Sequence, residues 1–191
     1  MNGMNLTEEL PNFVELDGKR YEINTDFRIW ILVDQLLFST ELSPVEKAAK
    51  MLALCYRKQL PPNAAAALRL LMQFYCADAK EKQGRRSGRS KKRIYDFEHD
   101  AGLFYAAFLE KYGIDLTVAH LHWWKFLALF HALDGGCRLC EVMHWRAVDL
   151  SKITDKGQKE FYRKMKGYYR LPDREGCQDT DLAEVLSEAV G

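Results

Sequence analysis

The order of apolar and polar residues predicts a short β-hairpin followed by helices. In residues 13–23, apolar and polar positions alternate on both sides of Asp17-Gly18, a dipeptide typical of a tight hairpin turn. Because two strands alone are only marginally stable, this hairpin should pack on helices or on a partner. Further along, apolar residues recur at the three- and four-residue spacings of amphipathic helices. The predicted fold class is therefore mostly α, with helical domains, a small N-terminal β-hairpin and a flexible basic linker.

Capping residues locate the predicted helix boundaries. Ser43, followed by Pro44 and with Glu46 three residues on, begins a capping box. Short polar side chains ahead of other apolar stripes predict three further N-caps, at Asp26, Asp96 and Thr117. Gly113 is a predicted helix end, because glycine adopts the left-handed conformation that commonly follows a helix. Apolar stripes predict two more helices, at about 137–146 and 155–169.

Charge divides the chain into segments, although the net charge is only +1. The stretch from Lys80 to Arg93 holds eight basic residues, one acid and no apolar residue. It cannot bury anything, which indicates a solvated, self-repelling linker. Nucleic-acid contact is the alternative, because Lys and Arg clusters neutralise phosphates. Four segments are predicted: a hairpin with three helices (1–79), a basic flexible linker (80–94), a helical region (95–172) and an acidic tail (173–191).

Composition excludes several classes of protein. The chain has 191 residues, of which 48% are apolar and 12% aromatic, so it is neither a disordered nor a collagenous sequence. No apolar run approaches the ~20 residues of a membrane-spanning helix, and the N-terminus lacks the pattern of a secretory signal. The five irregularly spaced cysteines indicate reduced thiols in an intracellular compartment.

Only one set of residues has the spacing of metal ligands. Cys137, Cys140 and His144 fall on one face of a predicted helix, a weak candidate for Zn²⁺ because a fourth ligand is missing. A redox role is a further alternative, and packed thiols are the favoured interpretation. The sequence contains no GxSxG, Walker, HExxH or GxGxxG motif. We therefore predict no enzyme activity, no catalytic residue and no cofactor.

Two groups of residues are candidates for binding a partner. The basic stripe consists of cations that recur every three or four residues on one predicted helix: Lys156, Lys159, Arg163, Lys166 and Arg170. Three interpretations of this stripe stay open: a solvated face, a docking surface for an acidic partner, or a nucleic-acid contact. The second group is Trp123 and Trp124, flanked by His120, His122 and His131, which are core or interface aromatics.

The acidic tail has the composition to cover a basic surface. Besides its six acids it carries apolar residues at helical spacing, sufficient for one or two amphipathic turns: Leu182, Val185, Leu186 and Ala189. Its charge is opposite to that of the linker and of the basic stripe. We therefore hypothesise that the tail shields one of these two regions.

Four motifs stand out in the second half of the chain: YDFE-x-D at Tyr95–Asp100, IDL at Ile114–Leu116, HWWKF at His122–Phe126 and DLSKI at Asp149–Ile153. In order and spacing they resemble a phage protein family, known as the gene-product-fifteen family, from tailed phages and prophages of Gram-positive bacteria. The resemblance covers about 5–172. It implies a tail-assembly chaperone encoded beside the tape-measure protein and working in the bacterial host cytoplasm during phage assembly. The implied partners are the tape-measure protein and the major tail protein, with no membrane involved; nucleic acid is the less favoured alternative.

Overall fold

The computed structural model describes residues 4–76 and 93–172, whose contacts group them into two units. In unit 1, residues 4–76 combine with 120–127, and in unit 2, residues 93–119 combine with 128–172. Residues 80–92 of the predicted linker and all of the predicted acidic tail lie outside the described ranges. The segment 120–127 thus joins unit 1, although it follows unit 2 residues in the chain.

The described ranges contain two strands and seven α-helices, which confirms the mostly α prediction. The elements are β1 Phe13–Leu16, β2 Lys19–Glu22, α1 Phe27–Phe38, α2 Pro44–Cys55, α3 Ala64–Tyr75, α4 Ala101–Tyr112, α5 Trp123–His131, α6 Arg138–Ala147 and α7 Lys156–Tyr168. Among these helices, none has the length and hydropathy needed to cross a membrane.

The hairpin forms where the alternation predicts it. Val14 pairs with Tyr21 in the antiparallel register, and both side chains are buried. Asp17 and Gly18 both have positive φ values, of 51° and 75°. Successive positive φ values belong to the turn whose twist matches that of a two-stranded ribbon. The buried face of the hairpin packs on α3, and the hairpin is therefore part of the unit 1 core.

Local caps begin the helices of unit 1. The Asp26 side chain accepts a hydrogen bond from the Arg28 backbone N–H at 3.0 Å. At α2, the Ser43 side chain accepts from the Glu46 N–H while a Glu46 carboxylate oxygen accepts from the Ser43 N–H, which confirms the capping box. Each of these contacts satisfies an N–H that has no partner within its helix.

The segment 120–127 is attached to unit 1 by backbone hydrogen bonds. The Phe27 N–H donates to the Leu121 carbonyl at 2.9 Å, and the Trp123 N–H donates to the Thr25 carbonyl at 2.7 Å. These two bonds connect the start of α5 to the residues that lead into α1. The aromatic residues at the start of α5 are thereby brought to the unit 1 core.

Two predicted helix starts are wrong. The Asp96 carboxylate accepts from the Glu98 and His99 N–H groups and orders a turn, but α4 begins only at Ala101. Thr117 donates its hydroxyl to Asp115 within another turn, and α5 begins later, at Trp123. The reason is that short polar side chains form the same local hydrogen bonds in turns as at helix caps.

The predicted end of α4 is confirmed. Gly113 follows the helix with φ of 65°, in the left-handed region, and its N–H donates to the Leu109 carbonyl.

Unit 2 has its own aromatic cluster, in which the Phe97 and Phe104 ring centroids lie 4.9 Å apart. Phe130 contributes a third ring, 5.1 Å from that of Phe104.

Candidate partner-binding surface

The candidate surface is built on α7, the helix that carries the basic stripe. Its N-cap, Asp155, accepts a hydrogen bond from the Gln158 N–H at 2.7 Å. No residue of α7 is buried, although α7 packs against α6. Tyr162 and Met165 are half-buried on the packed side, where the Tyr162 ring lies 5.9 Å from that of His144. Most of the helix circumference is therefore accessible.

A buried arginine holds this helix in place. Arg146 of α6 makes a two-pronged ion pair with Asp100, with N–O distances of 2.6 and 2.8 Å, and both side chains are buried. The same guanidinium donates to the Tyr169 carbonyl at 2.6 Å and to the Ile94 carbonyl at 3.0 Å. Arg146 thus joins the end of α7 to the start of α4 and to the chain entering unit 2.

The structure divides the five residues of the basic stripe. Lys156, Arg163 and Arg170 are exposed, whereas Lys159 and Lys166 are half-buried. The Lys166 amine donates to the Arg146 carbonyl at 2.9 Å and therefore supports the helix. Within residues 4–76 and 93–172, none of Lys156, Lys159 and Arg163 forms an ion pair. The accessible part of the stripe is therefore Lys156, Arg163 and Arg170.

Two aromatic side chains of α7 face solvent. Phe161 is 48% exposed and Tyr168 is 80% exposed. Helical geometry places them on the side of α7 that also includes Lys164. We use the name outer face for six exposed residues of α7, including these two aromatics: Lys156, Glu160, Phe161, Arg163, Lys164 and Tyr168. Its exposed aromatic residues and Arg163 are of the types that are enriched at protein interfaces.

The sequence predicts separate basic and aromatic stripes on this helix, and helical geometry agrees, because Arg163 and Phe161 are about 160° apart at about 100° per residue. Sequence reasoning missed Lys164, which is exposed between the two stripes. The positions of Tyr162 and Met165 identify the packed side of α7 and leave Lys164 to solvent. That assignment needed knowledge of which side of the helix packs against α6.

The structure places Trp123 and Trp124 in the core of unit 1, with 1% and 3% exposure. The Trp123 indole N–H donates to the Tyr75 carbonyl at 3.0 Å, and that of Trp124 donates to the Phe74 carbonyl at 2.9 Å. Both carbonyls are at the C-terminal end of α3. The pair cannot contact a partner while this core is intact, so we remove it from the candidate surface.

Cys137, Cys140 and His144 show no metal-site geometry. Within the described part of the chain, no three His, Cys, Asp or Glu side chains are arranged to hold a metal ion. Burial and a hydrogen bond with Cys137 raise the pKa of the Cys140 thiol to about 11, so it stays protonated at neutral pH. Nucleophilic chemistry requires the thiolate.

A second polar cluster occurs in unit 1. The Arg28 guanidinium pairs with the Asp26 carboxylate at 2.8 Å, and the His120 ring approaches the same carboxylate at 3.4 Å. The Arg28 hydrogen bond lowers the pKa of Asp26 to about 2. Since this carboxylate is also the cap of α1, the cluster has a structural explanation.

Comparison with known proteins gives a family assignment. A family model described as Bacteriophage Gp15 protein matches residues 6–171. No curated protein and no solved structure matches the chain significantly. The matched region includes both strands and all seven of the described helices. The chain therefore belongs to the bacteriophage Gp15 protein family and is a phage protein.

Proposed function

We propose that this phage protein is a non-enzymatic tail-assembly chaperone that binds the tape-measure protein through the outer face of α7. The observation that carries the proposal is the exposure of Phe161 and Tyr168 on α7, a helix that also exposes Lys156 and Arg163 elsewhere on its surface. The major tail protein is the second partner we propose. The proposed location is the bacterial host cytoplasm during phage assembly.

The outer face has the chemistry to hold an amphipathic helix. A tape-measure protein rich in coiled coil presents apolar residues flanked by charges, which suits capture of one helix by another. Phe161 and Tyr168 would lose their solvent on binding, and aromatic side chains dominate the energy of many interfaces. Lys156 and Arg163 would attract acidic flanks and set the orientation of the bound helix.

The absence of enzyme activity is part of the proposal. Among the described residues, several groups have a perturbed pKa for structural reasons. Burial raises the pKa of the Cys55 thiol to about 12, and hydrogen bonds to the Ser43 cap lower the pKa of Glu46. Such groups stabilise the fold and lack the paired acid and base that catalysis requires.

Co-expression with the adjacent tape-measure protein tests the proposal. We expect the tape measure to become soluble and to co-elute with the full chain in affinity capture and sizing. The double variant Phe161→Ser/Tyr168→Ser should lose most of this capture, whereas Arg69→Glu, on exposed α3 surface, should retain it. An insoluble, uncaptured tape measure beside a folded full chain would contradict the proposal.

Nucleic-acid binding is the second candidate function. The absence of ion pairs at Lys156, Lys159 and Arg163 among the described residues favours it, together with the eight basic residues of the stretch Lys80–Arg93. Lys166 counts against it, since its amine is engaged by Arg146. A salt-titrated DNA-binding assay separates the two functions. Neutralising the linker should abolish DNA binding under this alternative and leave tape-measure capture intact under the first proposal.

A further inference from the structure

The two edges of the β-hairpin differ in how their backbone groups are used. On the β2 side, the Arg57 N–H donates to the Glu22 carbonyl at 3.2 Å, and Ile23 forms a bridge with Tyr56. Among the described residues, no strand or bridge pairs with β1 on the side away from β2. We use the name open edge for this outer side of β1.

The register of the hairpin identifies the backbone groups that point out from the open edge. In an antiparallel pair, opposite residues alternate between those that exchange hydrogen bonds and those that do not. The Ile23 N–H donates to the Asn12 carbonyl at 2.9 Å, which fixes this alternation. Counting on from Asn12, Val14 exchanges bonds with β2, whereas Phe13 and Glu15 do not. The N–H and C=O groups of Phe13 and Glu15 consequently point away from β2, and within the described ranges none of them has a hydrogen-bond partner.

We infer that β1 pairs with β1 of a second copy of the chain, antiparallel and centred on Val14, so that two hairpins form a four-stranded sheet. In this register Phe13 lies opposite Glu15 of the second copy, and the two residues exchange both backbone hydrogen bonds. The two-fold axis generates the same pair again. Every backbone group that points out from the open edge is thereby satisfied, which makes the edge complementary to itself.

Side-chain charges match in the same register. Arg20 of β2 extends over the Phe13 ring, with its guanidinium carbon 4.4 Å from the ring centroid. Its contact with Glu15 of its own hairpin is long, at 3.9 Å, and both side chains are mostly exposed. In the dimer, Glu15 of the second copy lies directly opposite Phe13 and on the same face of the sheet, within reach of Arg20. Charge complementarity thus favours a second copy over an unrelated strand.

The contact is small, so the dimer should be weak. Pro11 has no N–H, and its carbonyl lies 3.1 Å from Nε2 of His122, so the added pairing ends near Asn12. At the other end, Asp17 begins the turn. Small interfaces with exposed charge pairs are typical of reversible association. We therefore expect a dissociation constant between about 1 μM and about 1 mM.

Residue-resolved hydrogen exchange of the full chain tests the pairing. The Phe13 and Glu15 amides should exchange fast in dilute solution. At about ten times the dissociation constant, about one fifth of the chains are monomeric, so both amides should exchange about fivefold more slowly. The Arg20 amide is the internal control, because it points out from the β2 edge and should keep its rate. Sedimentation equilibrium should show the dimer over the same concentrations.

Variants identify the surface that associates. Glu15→Pro removes an outward N–H that takes no part in the pairing of β1 with β2, so it should abolish the dimer. Arg20→Glu does not depend on proline and should raise the dissociation constant about tenfold, because it replaces two attractive contacts by two repulsive ones. The exchanged pair Glu15→Arg/Arg20→Glu should restore most of the association. Arg69→Glu makes the same charge change on exposed α3 surface and should have no effect.

Several outcomes would overturn the inference. A chain that stays monomeric up to about 1 mM would reject it, and so would exchange rates of Phe13 and Glu15 that do not change with concentration. Slow exchange of both amides at every concentration would mean that another segment of the same chain covers the open edge. Association unaffected by both Glu15→Pro and Arg20→Glu would assign the dimer to a different surface. Far-UV circular dichroism checks that each variant stays folded.

This dimer is independent of the proposed function. The open edge belongs to unit 1, whereas the outer face of α7 belongs to unit 2. Concentration-dependent exchange without tape-measure capture would reject the chaperone proposal alone. Capture by a chain that stays monomeric would reject the dimer alone.

Discussion

Units 1 and 2 both pack together residues that are distant in sequence, but they do so through different interactions. Unit 1 gathers aromatic rings, with the Trp30 ring 4.8 Å from that of Phe74 and the Tyr75 ring 5.6 Å from that of Trp123. Unit 2 also has an aromatic cluster, but it adds a fully buried ion pair between Arg146 and Asp100. The comparison shows how each unit attaches residues that are distant in sequence.

The two solutions differ in their sensitivity to substitution. An aromatic cluster loses stability gradually, because each ring contributes its buried area and its contacts. A buried ion pair is different, since removing one partner leaves the other charge without compensation in a low-dielectric interior. In unit 2, the same guanidinium also satisfies two backbone carbonyls, of Tyr169 and Ile94. We therefore expect unit 2 to depend on one residue more strongly than unit 1 does.

The largest predicted loss of stability follows the substitution of Arg146. Arg146→Met should lower the free energy of unfolding by about 3–5 kcal/mol, because Asp100 would be left charged and buried. Chemical denaturation measures the loss, and hydrogen exchange of the α4 and α7 peptides should localise it to unit 2. Arg138→Met is the matched control in the same helix. Its pair with Glu141 is exposed, so its loss should be about 0.5 kcal/mol.

The double variant Arg146→Met/Asp100→Leu sharpens the comparison. It removes both charges and should recover part of the stability lost in Arg146→Met. Recovery stays incomplete because the Tyr169 and Ile94 carbonyls lose their donor. A single Arg146→Met variant as stable as Arg138→Met would refute the special role of the buried pair.

The next effect is expected in unit 1. Trp123→Phe removes the hydrogen bond to the Tyr75 carbonyl and part of the ring stack, so it should cost about 2 kcal/mol. Trp145→Phe in unit 2 is the control, because its indole N–H makes no hydrogen bond within the described residues. It should cost about 1 kcal/mol from lost volume alone. Equal losses in the two variants would mean that the hydrogen bond contributes nothing.

Local features of this fold could be predicted from the sequence because their causes are local. The Asp17-Gly18 turn depends on the φ values of two adjacent residues, and the capping box of α2 depends on four consecutive residues. The same logic failed at Asp96 and Thr117. Their side chains make the expected local hydrogen bonds, but in turns rather than at the ends of α4 and α5.

The pairing between distant residues could not be predicted, because a single sequence carries no signal for it. Asp100 and Arg146 are 46 residues apart, and each one alone resembles an ordinary surface charge. Trp123 and Trp124 were recognised as core or interface residues, but their contact with the end of α3 depends on tertiary structure. The accessible part of the basic stripe was predicted, whereas its separation from Lys166 required the position of Arg146.

A smaller effect is expected from pH, and it should act on unit 1. The His122 ring accepts a hydrogen bond from the Trp124 backbone N–H at Nδ1, while Nε2 contacts the Pro11 carbonyl at 3.1 Å. Burial lowers the pKa of His122 below its ordinary value of 6.5. The unfolded chain therefore takes up this proton first, and stability falls as the pH drops below about 6.5.

His122→Asn isolates this titration. The asparagine amide oxygen can accept from the Trp124 N–H but does not titrate, and the remaining histidines are unchanged. Denaturation midpoints measured between about pH 8 and pH 5 should therefore fall less steeply in the variant than in the parent chain. The difference should be small, because His122 is half-exposed and partly screened by solvent. Identical slopes would remove His122 as the source.

The smallest predicted effect on stability is at the surface of unit 2, in contrast to the large effect expected in its core. Arg163→Glu on the outer face should change the free energy of unfolding by less than about 0.5 kcal/mol, because the side chain is exposed and forms no ion pair within the described residues. Arg69→Glu in unit 1 should behave alike in chemical denaturation. If Arg163→Glu destabilises the chain while Arg69→Glu does not, then Arg163 contributes to folding, and any effect of that variant on partner binding would not identify an interface. If the two variants are equally stable, a difference in partner binding between them would be attributable to the outer face, since both make the same charge change.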